Sequence, residues 1–268
     1  MALKLQILIC TFGRRIENVD VAGMPLVDGV EYIVCCQNPD GLPLEGAAPA
    51  LEARHDVRIA FFADRGLSIN RNHALDIASA PYVMIADDDL SWDAEGLREV
   101  IRRFDADPAL DILTTRAVMP ERRVYPPDGH DLSRPWRFYS AISFEFTYRL
   151  AALRSHGLRF SPLAGIGAPV LGAGEEDLLL QRSLEAGLRG RFADIRVVTH
   201  DGPTTSVHSA ADPRVIRALA AVARRRRGNI ATLIRMPLMA WRVPAPFFSA
   251  LRYLAEGFVY SLTHRSEL

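Results

Sequence analysis

A chain of 268 residues, 49% of them apolar, is long enough for one main domain with an ample core, and its 32 Lys and Arg balance 32 Asp and Glu. That neutrality argues against any role that depends on a polyanion, so no nucleic-acid partner is expected. The three cysteines, Cys10, Cys35 and Cys36, lie inside apolar runs with no spacing that suits a zinc or disulfide framework, and read as core residues in a reducing compartment.

In chain order, Met1 to Cys10 alternates into a strand without a long apolar stretch behind a basic start, which reads as no signal peptide and predicts a cytoplasmic catalytic region. Leu5 to Cys10, Tyr32 to Cys36, Val57 to Phe62 and Tyr82 to Ala86 are short β-rich runs, while Ile69 to Ala80 and Ala94 to Phe104 carry helical periodicity. In the second of these helices Leu97, Val100, Ile101 and Phe104 share a face. The alternation predicts an α/β fold, a Rossmann-like, mostly parallel sheet flanked by helices, with ligands outside the carboxyl ends of its strands. Thr11-Phe12-Gly13-Arg14 follows the first strand and Asp87-Asp88-Asp89 the fourth, so both fall on that edge. Three adjacent like charges repel, and their presence together asks for a cation. The plainer alternative is a solvated strand end whose acids favour the N-terminus of a helix starting near Asp93.

Met119 to Trp136 is rich in Pro, Arg and Asp and reads as a long mobile loop over the site or as a surface excursion. Phe138 to Tyr148 reads as strand, and Phe160 to Gly174 as a loop punctuated by Gly165, Gly167, Gly172 and Gly174. Gly174-Glu175-Glu176-Asp177 then opens a helix that ends near Gly187. Acids in a first turn are favoured by the helix dipole, but three in a row behind a glycine loop exceed what capping needs. Ile195 to Thr199 ends on His200, and His208 follows in a polar Thr-Thr-Ser context; for each, a purely structural place is the alternative. Finally, Arg224 to Arg227 precede the apolar Ile230 to Tyr260, which is broken by Pro237, Pro244 and Pro246 and is too interrupted to span a bilayer. That region reads as an amphipathic surface resting on the inner membrane leaflet, or as a helical hairpin packed on the main domain or on a dimer partner.

Four segments, Cys10-Thr11-Phe12, Asp64-Arg65-Gly66-Leu67-Ser68-Ile69-Asn70-Arg71-Asn72, Asp87-Asp88-Asp89 and Gly174-Glu175-Glu176-Asp177, come in an order and spacing that resemble the family 2 glycosyltransferases of the bacterial cell-surface polysaccharide type. The resemblance spans residues 1–210 and implies the GT-A fold, with 1–116 the nucleotide-sugar-binding half and 117–210 the acceptor and base half. Residues 211–268 are then a C-terminal helical extension that associates with membrane. It also implies transfer from a nucleoside diphosphate sugar donor to a hydroxyl of a glycan or lipid-linked glycan acceptor, inverting and dependent on Mg²⁺ or Mn²⁺, at a cytoplasmic site peripheral to the inner membrane face.

Carried over residue by residue, the resemblance makes Asp89 the first choice for metal ligation, with Asp87 touching the ribose or sharing the metal through water. Asp88 becomes a donor-sugar contact or a cap. A hard cation held by carboxylates neutralises the charge that grows on a departing diphosphate. Arg71 suits diphosphate or nucleotide contact, Thr11 contacts the nucleotide, and His200 is a metal or diphosphate contact. Many relatives carry aspartate after the second strand, where this chain has Cys36-Gln37-Asn38; Gln37 is the base contact expected there, and the base stays open. The attacking hydroxyl must lose a proton, and Glu175, Glu176 and Asp177 supply carboxylates. Counting from Gly174 or Arg182 selects Glu176, whereas the literal Glu-Asp pair selects Asp177. A nucleotidyltransferase would need a glycine-rich, lysine-bearing loop, which Thr11-Phe12-Gly13-Arg14-Arg15 is not, and a non-catalytic relative would lack one of the two acid sets.

Overall fold

The structure, a computed structural model, describes residues 2–134, 136, 139–202 and 210–268. They form two compact units. Of the described residues, the first takes those within 2–65, 70–158 and 183–202, and the second those within 66–69, 159–182 and 210–268.

In the first unit, β1 (Leu5–Phe12), β2 (Val30–Gln37), α1 (Pro49–Glu52), β3 (Val57–Phe62), α2 (Leu67–Ile77), β4 (Tyr82–Ala86), β5 (Ser91–Trp92), α3 (Ala94–Ala106), β6 (Ile112–Val118), β7 (Phe146–Arg149), α4 (Leu150–Ser155) and β8 (Gly190–Thr199) follow in sequence, α2 starting in the second unit. Among the described residues, eight strands make one sheet in the order β3-β2-β1-β4-β7-β6-β8-β5. Pairing is parallel across β3-β2-β1-β4 and between β6 and β8, while β7 runs against both of its neighbours and β5 against β8. Following those directions, β3, β2, β1, β4, β6 and β8 all point the same way. The sheet is therefore mixed in pairing, yet six strands deliver their carboxyl ends to one edge. β1 lies inside the sheet, between β2 and β4, and is buried on both faces from Leu5 to Thr11, as a strand covered by helices on both sides must be.

Helix α3 shows how the covering is made. Asp93 caps it by accepting from the Gly96 N–H at 2.6 Å, and Leu97, Val100 and Phe104 face the core. A Cβ on Gly96 would lie 2.2 Å from the Arg196 carbonyl oxygen, so the helix rests on β8 at backbone contact. The cysteines are core residues as expected, and burial pushes the Cys36 thiol up to about 11.

One local expectation is corrected, one strand was not foreseen, and one of two readings is selected. The strand expected over Phe138 to Tyr148 is a 3₁₀ turn, Ser143–Glu145, followed by the short β7; Phe138 lies outside the described residues. Glu145 tightens that turn by accepting from the Ile142 N–H at 3.0 Å. β6 was not expected, because its Thr114-Thr115-Arg116 interior breaks the apolar run. The 119–136 segment is a surface excursion with fixed anchors: Arg123 and the Tyr125 hydroxyl meet the buried Glu145 at 3.1 and 2.6 Å, Tyr125 stacks on Phe192, and the Gly129 N–H donates to the Phe192 carbonyl.

The second unit holds the start of α5 (Glu175–Glu185) and the helices α6 (Pro213–Arg227), α7 (Asn229–Arg242) and α8 (Phe247–Thr263). Ile216 and Ala220 of α6, Met236 and Ala240 of α7, and Ala250, Leu254 and Phe258 of α8 form one core. A Cβ on Gly257 would lie 2.1 Å from the Arg217 carbonyl oxygen, so α6 and α8 touch backbone to backbone. The arginine cluster is largely absorbed by the unit itself: buried Arg224 donates to Ser261 Oγ at 2.6 Å, Arg225 to the Arg265 carbonyl at 2.9 Å, and Arg226 lies 3.6 Å from Asp177. Among the described residues, no helix is long and apolar enough to cross a membrane.

Candidate active site

The sheet order places a switch point between β1 and β4, where the connections depart in opposite directions at the carboxyl ends. Thr11 stands on one side of it and Asp87 to Asp89 on the other. The Thr11 hydroxyl donates to Asp88 between the two strand ends. Buried Asn70, in α2, donates to the carbonyls of Thr11 at 3.1 Å and Cys35 at 2.9 Å, holding the ends of β1 and β2 at a set spacing.

The three neighbouring carboxylates part company. Asp87 accepts from Arg71 Nη2 at 3.2 Å and from Ser143 Oγ at 3.2 Å. Asp88 turns inward and is buried, taking Arg15 Nε at 2.9 Å in a two-pronged pair as well as the Thr11 hydroxyl. Asp89 stays more than half exposed, 3.5 Å from Nε2 of His200. His200 comes from the far end of β8; its N–H bonds the Val118 carbonyl, its ring stacks on Phe144, and its buried Nδ1 has no hydrogen-bond partner among the described residues. Each acid thus faces a different cationic or protonatable side chain, which is how three like charges coexist on consecutive residues.

A cation site fits this donor set in part. An exposed carboxylate and an imidazole nitrogen 3.5 Å apart are ligand types that Mn²⁺ accepts and that leave room for phosphate oxygens and water. Among the described residues no group of three His, Cys, Asp or Glu gathers to complete a cage.

Arg71 is almost wholly buried, the opposite of a solvated helix arginine. Gln37 is buried at the end of β2, and its amide donates to Asp64 Oδ1 at 2.7 Å. The other Asp64 oxygen meets His73 Nε2 at 2.6 Å, and His73 stacks on Phe62 with ring centres 4.1 Å apart. Burial raises the Asp64 carboxyl, but hydrogen bonds from His73 and Gln37 outweigh it and hold the group below its ordinary value. Asp64 follows β3, on the same edge as Gln37. Its place in the sequence just beyond a predicted strand was the signal for it; Arg15 and Ser143, which complete the pairs of Asp88 and Asp87, gave none.

The remaining acids belong to the second unit. Gly174, at φ +83°, leads into α5; Glu175 is buried, while Glu176 and Asp177 are half-buried. Asp177 is engaged by Arg226 at 3.6 Å. Gly165, at φ +101°, has no room for a side chain beside Ser68 Oγ and the Glu175 carboxylate, so the glycine loop is built against the acidic turn. His208 lies outside the described residues.

Residues 40–166 match the family model for Glycosyl transferase family 2. No curated protein sequence matches the chain. Among solved structures, S. aureus TarS 1-349 in complex with UDP aligns over 98% of this chain and 72% of its own, at 16% identity and a TM-score of 0.59. The complex of the same protein with UDP-GlcNAc aligns over 97% of this chain and 73% of its own, at 15% identity and a TM-score of 0.62. At these identities the likeness is one of fold.

Proposed function

We propose that the chain is a family 2 glycosyltransferase of GT-A fold, a reading supported by the match of residues 40–166 to that family model, and that it moves a sugar from a nucleoside diphosphate sugar to an acceptor hydroxyl with inversion. The observation that carries the finer reading is the meeting of Arg71, Asp87, Asp89 and His200 at the switch-point edge, where a diphosphate needs charge-assisted contacts. The UDP and UDP-GlcNAc bound to TarS make a uridine diphosphate sugar the first donor class to test.

In this mechanism the acceptor oxygen attacks the anomeric carbon as Glu176 takes its proton. The bond from that carbon to the diphosphate oxygen breaks, and its electron pair leaves with the diphosphate. Glu176 is preferred over Asp177 because counting from Gly174 or Arg182 selects it. Asp89 and His200 would hold Mg²⁺ or Mn²⁺, which when bound neutralises the charge developing on the leaving diphosphate. Arg71, held in place by Asp87, supplies fixed positive charge from the protein side. Thr11 and Asn70 set the strand ends against which the nucleotide lies, and Gln37 with Asp64 faces the same edge. Asp88 works by fixing Thr11 and Arg15. The acceptor is a glycan or lipid-linked glycan, met at the cytoplasmic face of the membrane.

The test is turnover across a panel of nucleotide sugars with a polysaccharide or glycolipid acceptor. Release of nucleoside diphosphate and a product of inverted anomeric configuration are expected. Release of pyrophosphate would point to nucleotidyl transfer, and silence toward every donor would overturn the reading.

A further inference from the structure

Helix α7 carries its apolar residues on two sides. Thr232, Met236 and Ala240 are buried in the helical core, four residues apart. Ile230, Leu233, Ile234, Leu238 and Trp241 recur at helical spacing on another side and are open to solvent, Ile230 and Trp241 each at 76% and Ile234 at 75%. Phe248, just beyond the turn into α8, is 83% exposed. A row of this size has no counterpart in ordinary scattered surface residues.

The charges on α7 itself have one sign. From Arg227 through Ala255 the chain contains Arg227, Arg235, Arg242 and Arg252, all exposed, and no Asp or Glu; Glu256 follows and pairs with Arg252 at 3.5 Å. Arg235 and Arg242, seven residues apart, share one edge of the apolar row on α7. Apolar side chains at the centre, arginines alongside and a tryptophan at the helix end are the components of an interfacial helix, whose guanidinium groups reach up to lipid phosphates while the row enters the acyl boundary. A symmetric contact between two copies of this segment would set its arginines against apolar or basic side chains, with no acid in the segment to oppose them. An anionic bilayer supplies the opposite charge everywhere.

We propose that the outward side of α7, continued by Phe248, is a docking face for an anionic lipid bilayer. The lipid contact thereby moves from Arg224, Arg225 and Arg226, which the unit uses internally, to Arg235, Arg242 and the row beside them. The proposal rests on the glycosyltransferase reading for its purpose, delivery of a membrane-held acceptor, and on the helix surface for its evidence.

The full chain should sediment with vesicles of equal parts phosphatidylcholine and phosphatidylglycerol and much less with phosphatidylcholine alone. Arg235→Gln and Arg242→Gln each weaken binding by about fivefold at low salt, the worth of one basic residue near such a surface. Ile234→Asp, at a fully solvated position, weakens it by about tenfold or more with an unchanged circular dichroism spectrum. Trp241 emission should shift to the blue on binding. A wild type that stays in the supernatant, or an Ile234→Asp variant that binds like wild type, overturns the proposal. So does light scattering that shows a dimer dissolved by Ile234→Asp with no vesicle binding. Glu176→Gln is expected to bind vesicles like wild type, so an enzyme silent toward all donors yet bound to vesicles would sink the transfer mechanism and leave the lipid face standing.

Discussion

Arg71 keeps its charge inside the protein and meets the carboxylate of Asp87 3.2 Å away at the site surface, where a third of that side chain is exposed. Removing the carboxylate takes a charge-assisted hydrogen bond from a buried guanidinium. Asp87→Asn should therefore cost about 2 kcal/mol in urea unfolding as well as weakening donor binding. Asp89→Asn, at an exposed position, should stay within about 0.5 kcal/mol of wild type. Equal stability of the two variants would show that Asp87 does not hold Arg71.

The cation reading separates from the folding one at Asp89. Asp89→Ala, or excess chelator with wild type, is expected to abolish transfer while leaving thermal unfolding unchanged, and added Mn²⁺ should rescue the chelated enzyme but not the variant. Full turnover in chelator would remove the metal from the mechanism.

For the base, Glu176→Gln should lower kcat by about two to four orders of magnitude with little change in donor affinity, since the lost interaction belongs to the transition state. Asp177→Asn should act more on stability than on kcat, because it releases Arg226. The reverse pattern, measured by single-turnover kinetics and unfolding, would assign the proton to Asp177.

Glu145 makes a prediction about pH. Burial lifts its carboxyl above the ordinary 4.5, and Arg123, the Tyr125 hydroxyl and the Ile142 N–H offset this only in part. A raised acid favours folding in its protonated form, so its contribution is complete below the ordinary value and is lost as pH rises through the folded one. Wild type should lose stability relative to Glu145→Gln as pH climbs above 4.5, by about 1.4 kcal/mol per unit of elevation. A difference in melting temperature that stays flat with pH would contradict this.

The strand ends and their acids were legible because β1, β2 and β4 are buried runs that stop abruptly on polar residues, and a parallel sheet gathers such stops on one edge. β7 and β6 were harder to read. One is shortened by the 3₁₀ turn that Glu145 holds, and the other has threonines and an arginine in its interior. The pairing of Asp87, Asp88 and Asp89 with Arg71, Arg15 and His200 depends on side-chain direction at a strand end, which spacing along the chain does not encode. Ser143 reaches Asp87 from 56 residues away, and only the folded sheet brings them together.

Gly257 has a consequence for how this protein can change over generations. With α6 and α8 in backbone contact there, almost any replacement would pry the pair apart, and the inward residues of α7 are committed to the same core. The outward row of α7 is under no such packing constraint. Surface preference can therefore drift, or be engineered, one residue at a time without a compensating repair in the interior, so close relatives that work at different surfaces should diverge first at the positions of Ile230, Ile234 and Trp241.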